Sequence, residues 1–297
     1  MPCYSPISAW QVKNPITGKL DISFSNPSAT ITSARKPIKL PCGQCIGCRL
    51  ERSRQWAVRC NHEASLYENN CFITLTYDDH HLPSDGSLHK EHFQKFMKRL
   101  RKKFPGSKIR YFHCGEYGDE LSRPHYHAIL FNFDFQDKEV WKIKQGNTLY
   151  RSATLEKLWT FGYSTIGDVT FESAAYVARY CTKKVTGKEA EAHYGDKQPE
   201  YTTMSRRPGI AADWFKKYSS DVYPSDQIVI RNNIRCKPPR YYDNLYEVDN
   251  PNEMSKIKIK RKTRAEDNPD NSPERLEVRH NIQKLKAKRL IREYESQ

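Results

Sequence analysis

Three short runs rich in β-branched and aromatic residues constrain the fold more than any other feature of the chain. They are Cys71-Phe72-Ile73-Thr74-Leu75-Thr76-Tyr77, Ile109 to Cys114, and Pro124 to Phe133. Runs this short, bounded by Asn, Gly and Pro, predict strands rather than buried helices. Helical spacing of apolar residues lies around them. Leu50, Trp56, Val58 and Ala64 recur between Gly47 and Tyr67, and Phe93, Phe96, Met97 and Leu100 between His89 and Phe104. Residues 152–160 and Glu172 to Lys184 suggest two more helices, and Tyr163 to Val169 a fourth strand. The order β-α-β-β-α-β-α predicts an α+β fold: a four- to five-stranded, mainly antiparallel, RRM-like sheet backed by helices.

The flanks divide the rest. Residues 1–69 read as a Cys-rich and basic-helix extension packed on the core, the first 40 being extended or loop. Residues 70–186 form the core, 187–250 a C-terminal extension with one helix near 210–218, and 251–297 a basic flexible tail. The chain carries 50 Lys and Arg against 35 Asp and Glu, a net charge of +15. Ten of these excess charges belong to residues 1–250 and five to the tail, where Lys256 to Arg264 packs six bases into nine residues. A polyanionic partner, most simply nucleic acid, follows. No apolar run approaches the roughly 20 residues of a membrane helix. The start, Met1-Pro2-Cys3-Tyr4-Ser5-Pro6, lacks the layout of a secretory signal. A soluble protein with reduced thiols and no membrane partner is expected, since its nine cysteines are odd in number.

Two motifs can carry chemistry. In His125-Tyr126-His127 the two imidazoles share one face of a strand, a ready start for a divalent metal site, and Glu116 supplies a carboxylate nine residues earlier. Two histidines and a carboxylate leave positions open for substrate oxygens. Tyr176-Val177-Ala178-Arg179-Tyr180-Cys181-Thr182-Lys183-Lys184 repeats Tyr-x-x-basic twice at helical spacing. A phenol is a poor nucleophile near neutral pH, but a nearby cation and a metal-polarised phosphate can make it competent. Each motif alone has a plainer reading: a solvated histidine pair, or an amphipathic helix whose tyrosines pack. Tyr126 is expected to pack beneath its strand, and Asp78-Asp79-His80-His81 reads as turn chemistry.

Taken together, these motifs resemble the HUH endonucleases that start rolling-circle replication. Phe72 to Tyr77 matches the first motif of that family, Pro124-His125-Tyr126-His127 the second and the Tyr176/Tyr180 helix the third. Pro41 to Cys48, Gly115-Glu116-Tyr117-Gly118, Met204 to Ile210 and Pro239 to Asp243 are similar to the replication initiators of gokushoviruses, single-stranded DNA bacteriophages of the Microviridae. The resemblance implies an HUH core in which Glu116, His125 and His127 hold Mg²⁺ or Mn²⁺. It implies that Tyr176 or Tyr180 attacks phosphorus while Arg179, Lys183 and Lys184 offset charge. Its implied partners are single-stranded DNA at a replication origin and the polymerase and helicase of a bacterial host, in whose cytoplasm the protein would act. A non-catalytic RRM-like nucleic-acid-binding or packaging protein would explain the charge and topology. It would not explain Glu116, the two histidines and the doubled tyrosine motif arriving together.

Cys42-x-x-Cys45-x-x-Cys48 has zinc-like spacing, with Cys60, Cys3 or His62 as a fourth ligand for a structural Zn²⁺; unligated thiols are the alternative.

Overall fold

The computed structural model describes residues 3–14, 16–25, 35–118, 121–144, 146–179, 184–185, 187, 189–230 and 233–288. The N-terminal stretch, expected as extended or loop, is extended and paired: β1 (Ile7–Lys13), β2 (Leu20–Ser23) and β3 (Arg35–Leu40) form an antiparallel sheet in the order β2-β1-β3. Next come α1 (Ile46–Ala64), β4 (Asn70–Tyr77), α2 (Lys90–Lys103), β5 (Arg110–Tyr117) and β6 (Pro124–Phe131). A hairpin of β7 (Lys138–Lys144) and β8 (Asn147–Ser152) leads to α3 (Ala153–Leu158), β9 (Gly162–Gly167) and α4 (Phe171–Arg179). After these follow α5 (Glu189–Tyr194), β10 (Tyr201–Met204), α6 (Ala212–Val222), β11 (Ile228–Val229), β12 (Arg235–Cys236), α7 (Arg240–Asp249), α8 (Pro251–Glu266) and α9 (Pro273–Lys288). The described residues form two compact units, one lying within Met1–Glu51 and Arg261–Leu290 and the other within Arg52–Lys260. Among the described residues no helix is long and apolar enough to cross a membrane.

The larger unit is built on a seven-stranded, wholly antiparallel sheet, β10-β5-β6-β4-β9-β8-β7. The α+β class is as expected, but the sheet is wider than four or five strands. The strands missed are β10, only four residues long, and the β7–β8 hairpin. In β7, Lys-Glu-Val-Trp-Lys-Ile-Lys, the charges mask the apolar residues, and the strand has no buried face to impose alternation.

Alternation along β4, β5 and β6 feeds two cores. Cys71, Ile73, Leu75, Tyr77, Tyr126, Ala128 and Leu130 pack against Phe93, Phe96, Met97 and Leu100 of α2 and Leu155, Leu158 and Trp159 near α3. Phe72, Phe112, Cys114 and Ile129 pack on the other face with Tyr176 and Val177 of α4, Phe215 of α6 and Tyr242 of α7. Met254 and Ile257 of α8 join this second core, so residues from 251, expected as a flexible tail, begin as an anchored helix. Two apolar residues one turn apart suffice to hold it, although lysines surround them.

A buried ion pair fixes the loop after β10. The guanidinium of Arg110 (5% exposed) donates to Glu63 (2% exposed) of α1 and to the carbonyls of Pro208 (3.0 Å) and Gly209 (3.2 Å). The other Glu63 oxygen accepts from the Ala211 N–H at 2.5 Å. Arg59 donates to the Ile210 carbonyl (3.0 and 3.1 Å) between the rings of Trp56 and Tyr241. A Cβ on Gly209 would stand 2.5 Å from the Tyr241 hydroxyl, so only glycine lets the loop approach. Arg110→Met strands the Glu63 carboxylate in the core and is expected to cost about 3–5 kcal/mol of unfolding free energy. Urea denaturation measures this; a loss below about 1 kcal/mol would show the pair to be dispensable.

His62 stacks on Trp214 with ring centroids 3.5 Å apart and shares a 2.9 Å hydrogen bond with the Tyr242 hydroxyl. Burial pushes its pKa down from 6.5 to about 3. Unfolding therefore takes up a proton between those values, and stability falls as pH drops through that window, by about 1.4 kcal/mol per pH unit. His62→Phe should have a shallower loss of stability between pH 7 and pH 5 than the wild type. Equal losses in the two proteins would remove His62 from the account.

Candidate functional site

Strand register brings the sequence motifs together. Directly opposite residues of antiparallel strands project from the same face. Glu116 of β5 lies opposite His125 of β6, which lies opposite Thr76 of β4, which lies opposite Tyr163 of β9. One row along, Cys114, His127, Thr74 and Thr165 are aligned in the same way. Four strands thus carry a two-row polar patch on an otherwise packed sheet face, while Tyr126 turns to the opposite face. There its hydroxyl is 2.7 Å from that of Tyr77 and accepts from the His89 N–H at 2.9 Å.

Both imidazoles are held from behind. His127 Nδ1 is 3.0 Å from the Thr74 hydroxyl, and His125 Nδ1 is 3.1 Å from that of Thr76. The proton between His127 Nε2 and Glu116 is the one a cation would displace; with it gone and Nδ1–H donating to threonine, Nε2 of each ring would offer its lone pair. His127 Nε2 lies 2.8 Å from Glu116 Oε1, the two groups being almost fully buried. Phe72 stacks against the His127 ring at 5.8 Å. Gly118 leaves space on the other side, since a Cβ there would approach His125 Nε2 to 3.0 Å. The turn from β5 to β6 is closed by the Gly118 N–H donating to the Arg123 carbonyl (2.9 Å), and Arg123 in turn donates to the Tyr77 carbonyl (2.9 Å). A histidine nitrogen and a carboxylate oxygen already in contact, with a second imidazole in the adjacent row, are a donor set that suits a hard-to-borderline divalent cation such as Mn²⁺ or Mg²⁺.

The third motif meets the patch from α4. Thr170 and Ser173 cap this helix reciprocally, the Ser173 hydroxyl accepting from Thr170 N–H (2.8 Å) and the Thr170 hydroxyl from Ser173 N–H (3.1 Å). Tyr176 sits edge-on to His127 (5.5 Å, 88°) and to Phe72 (6.3 Å, 86°), and only 4% of it is exposed. Arg179 ends α4 and Lys184 is exposed. Tyr180 and Lys183 lie outside the described residues, as does the side chain of Arg179.

The structure brings together His125, His127, Glu116 and Tyr176, which the sequence singled out, and sets beside them Thr74, Thr76, Gly118 and Tyr163, which it did not. The threonines had a signal, because Thr74-x-Thr76 repeats the spacing of His125-x-His127. Only the register shows that the two pairs face each other. Tyr163 is 63% exposed at the end of the row holding Thr76 and His125. Asp78 and His81 form the expected turn, Asp78 Oδ1 accepting from the His81 N–H at 2.8 Å. In the smaller unit, Cys42, Cys45 and Cys48 come together with Cys3.

Residues 70–185 match the family model for replication-associated protein ORF2/G2P. Over 278 residues the chain is 35% identical to replication-associated protein VP4 of Bdellovibrio phage phiMH2K, covering 90% of this chain and 85% of that one. It is 37% identical over 220 residues to replication-associated protein ORF2 of Spiroplasma virus 4 (70% and 68% covered). It is also 35% identical over 215 residues to replication-associated protein ORF4 of Chlamydia phage 1 (69% and 53%). No solved structure matches the chain.

Proposed function

The chain belongs to the family of phage replication-associated proteins, and from that premise we propose that it is an HUH-type initiator that nicks and rejoins single-stranded origin DNA. One observation carries the reading: Glu116 and His127 are in contact beside His125, with the α4 tyrosine edge-on to the same ring. A DNA-binding module needs neither the buried carboxylate nor the paired imidazoles.

Glu116 Oε1 and the Nε2 atoms of His125 and His127 would hold Mg²⁺ or Mn²⁺. Bound there, the ion supplies Lewis-acid polarisation of the scissile phosphate. With the ion bound, Thr74 and Thr76 would accept from each Nδ1–H and hold the direction of the two rings. A tyrosine phenolate oxygen attacks phosphorus. The bond from phosphorus to the 3′ oxygen breaks, and that oxygen leaves as a free 3′-OH after taking up a proton. The 5′ end stays esterified to the tyrosine, and the 3′-OH primes a host polymerase, with a host helicase opening the duplex ahead. In rejoining, a 3′-OH attacks the phosphotyrosine and expels the phenol, so the strand closes without a nucleotide cofactor.

Tyr176 is packed against Phe72 and His127, whereas Tyr180 heads the Tyr-x-x-Lys step with Lys183. The first attack is therefore assigned to Tyr180, with the cations at 179, 183 and 184 offsetting charge on the phosphate. Exposed Tyr163, in the row of Thr76 and His125, offers a ring on which an unpaired base can stack.

Incubation with a single-stranded origin oligonucleotide and Mn²⁺ is expected to give a covalent adduct on a denaturing gel. Tyr180→Phe and the double change His125→Ala with His127→Ala should abolish it, and Tyr176→Phe should retain it. An adduct that survives loss of both tyrosines, or none with the wild type, would sink the mechanism and favour a non-catalytic binding protein. Thr74→Val removes the group behind His127 and should weaken Mn²⁺ binding about 10–100-fold, with adduct yield recovering at high Mn²⁺. Unchanged Mn²⁺ dependence would deny Thr74 that role.

A further inference from the structure

The proposed strand cleavage does not draw on the cysteine cluster of the smaller unit, whose four sulfurs lie close enough together to share one ion. Cys3 precedes β1, Cys42 follows β3, and Cys45 and Cys48 lie where α1 begins. Ile7 pairs with Leu40, so the chain entering β1 and the chain leaving β3 meet at one end of the sheet. That pairing carries Cys3 to within 3.7 Å of Cys42, sulfur to sulfur, and 4.0 Å of Cys45. Gly43, at φ +75°, turns the chain so that Cys42 and Cys45 face one point. All four sulfurs lie within 4.8 Å of one another.

Two features separate this cluster from thiols packed by chance. First, a tetrahedral ion with Zn–S bonds of about 2.3 Å sets its four sulfurs about 3.8 Å apart. A disulfide would draw one pair to about 2.05 Å and leave the others unmatched. Second, backbone N–H groups are aimed at the sulfurs: Tyr4 donates to Cys45 (3.4 Å), Cys42 to Cys3 (3.3 Å) and Cys45 to Cys42 (3.3 Å). Such donors favour thiolate over thiol and so favour metal binding.

We propose that Cys3, Cys42, Cys45 and Cys48 bind one Zn²⁺ as a closed four-thiolate site. Four protein ligands leave no position for substrate, so the ion is structural. Three ligands come from one short knuckle after β3 and the fourth from the chain entering β1, at the same end of the β1–β3 pair. The ion therefore ties the N-terminal sheet to the start of α1. Tyr4, whose N–H serves Cys45, also stacks its ring on His280 of α9 (5.3 Å, 22°), with Arg279 over it at 5.9 Å. Zinc thus orders the seat of α9 as well as the sheet.

The full-length protein, purified without chelator, is expected to hold one zinc per chain by elemental analysis. Replacement by Co²⁺ should give thiolate-to-cobalt charge-transfer bands with tetrahedral d–d absorption. Cobalt bound only at His125 and His127 would lack the thiolate bands, so this outcome is read separately from strand cleavage. Cys3→Ser should weaken zinc binding by more than about 100-fold, since removing a ligand exceeds the cost of removing a supporting group. Cys60→Ser, whose sulfur is outside the cluster, should bind as the wild type does. No thiolate bands in the wild type would overturn the proposal even if Cys3→Ser fails to fold. Undiminished zinc in a folded Cys3→Ser protein would overturn it too.

Discussion

The buried pair between Arg110 and Glu63 is the contact on which the larger unit depends. Arg110 opens β5, the strand that also carries Glu116, and Glu63 lies in the last turns of α1. Their remaining hydrogen-bonding capacity goes to the backbone of residues 208–211. One ion pair therefore joins the sheet, the helix before it and the loop after β10. Two charges inside a core are stable only when their other donors and acceptors are satisfied, and here backbone groups provide that. The Arg59 clamp and the glycine at 209 allow the loop to come close enough to do so.

The candidate site inherits its precision from this arrangement. His125 and His127 are on β6, which has β5 on one side and β4 on the other, so its backbone is hydrogen-bonded along both edges. The carboxylate comes from one neighbour and the threonine supports from the other. Neither histidine depends on a loop for its position. Among the described residues, α4 is the part of the candidate site that does not belong to the sheet, and its reciprocal Thr170–Ser173 cap fixes where it starts.

Much of this was legible in the sequence because the signals are local. Cys71 to Tyr77 reads as a strand from its composition, and Phe93, Phe96, Met97 and Leu100 read as one face of a helix from their spacing. The His-x-His and Tyr-x-x-basic motifs name their residues without a structure. What stayed hidden depends on pairing between distant segments. The opposition of Thr74 to His127 is a matter of register, and the choice of Cys3 rather than Cys60 or His62 as the cysteines' companion comes from the β1–β3 pair. The loop-like composition of residues 1–40 concealed that pair. Met254 and Ile257 are the two buried residues of α8, set among lysines, and charge misled in the same way at β7.

That last strand has a further consequence. A seven-stranded sheet ends in two edges whose unpaired backbone groups could template pairing with another chain. β10 offers only four residues at one edge. At the other, β7 carries Lys138, Glu139 and Lys142 and is broken by a bulge between Val140 and Lys142. The charges that hide β7 from a sequence reader also make it a poor partner for a second copy, so the sheet is kept from growing edge to edge in spite of exposed Val140, Trp141 and Ile143.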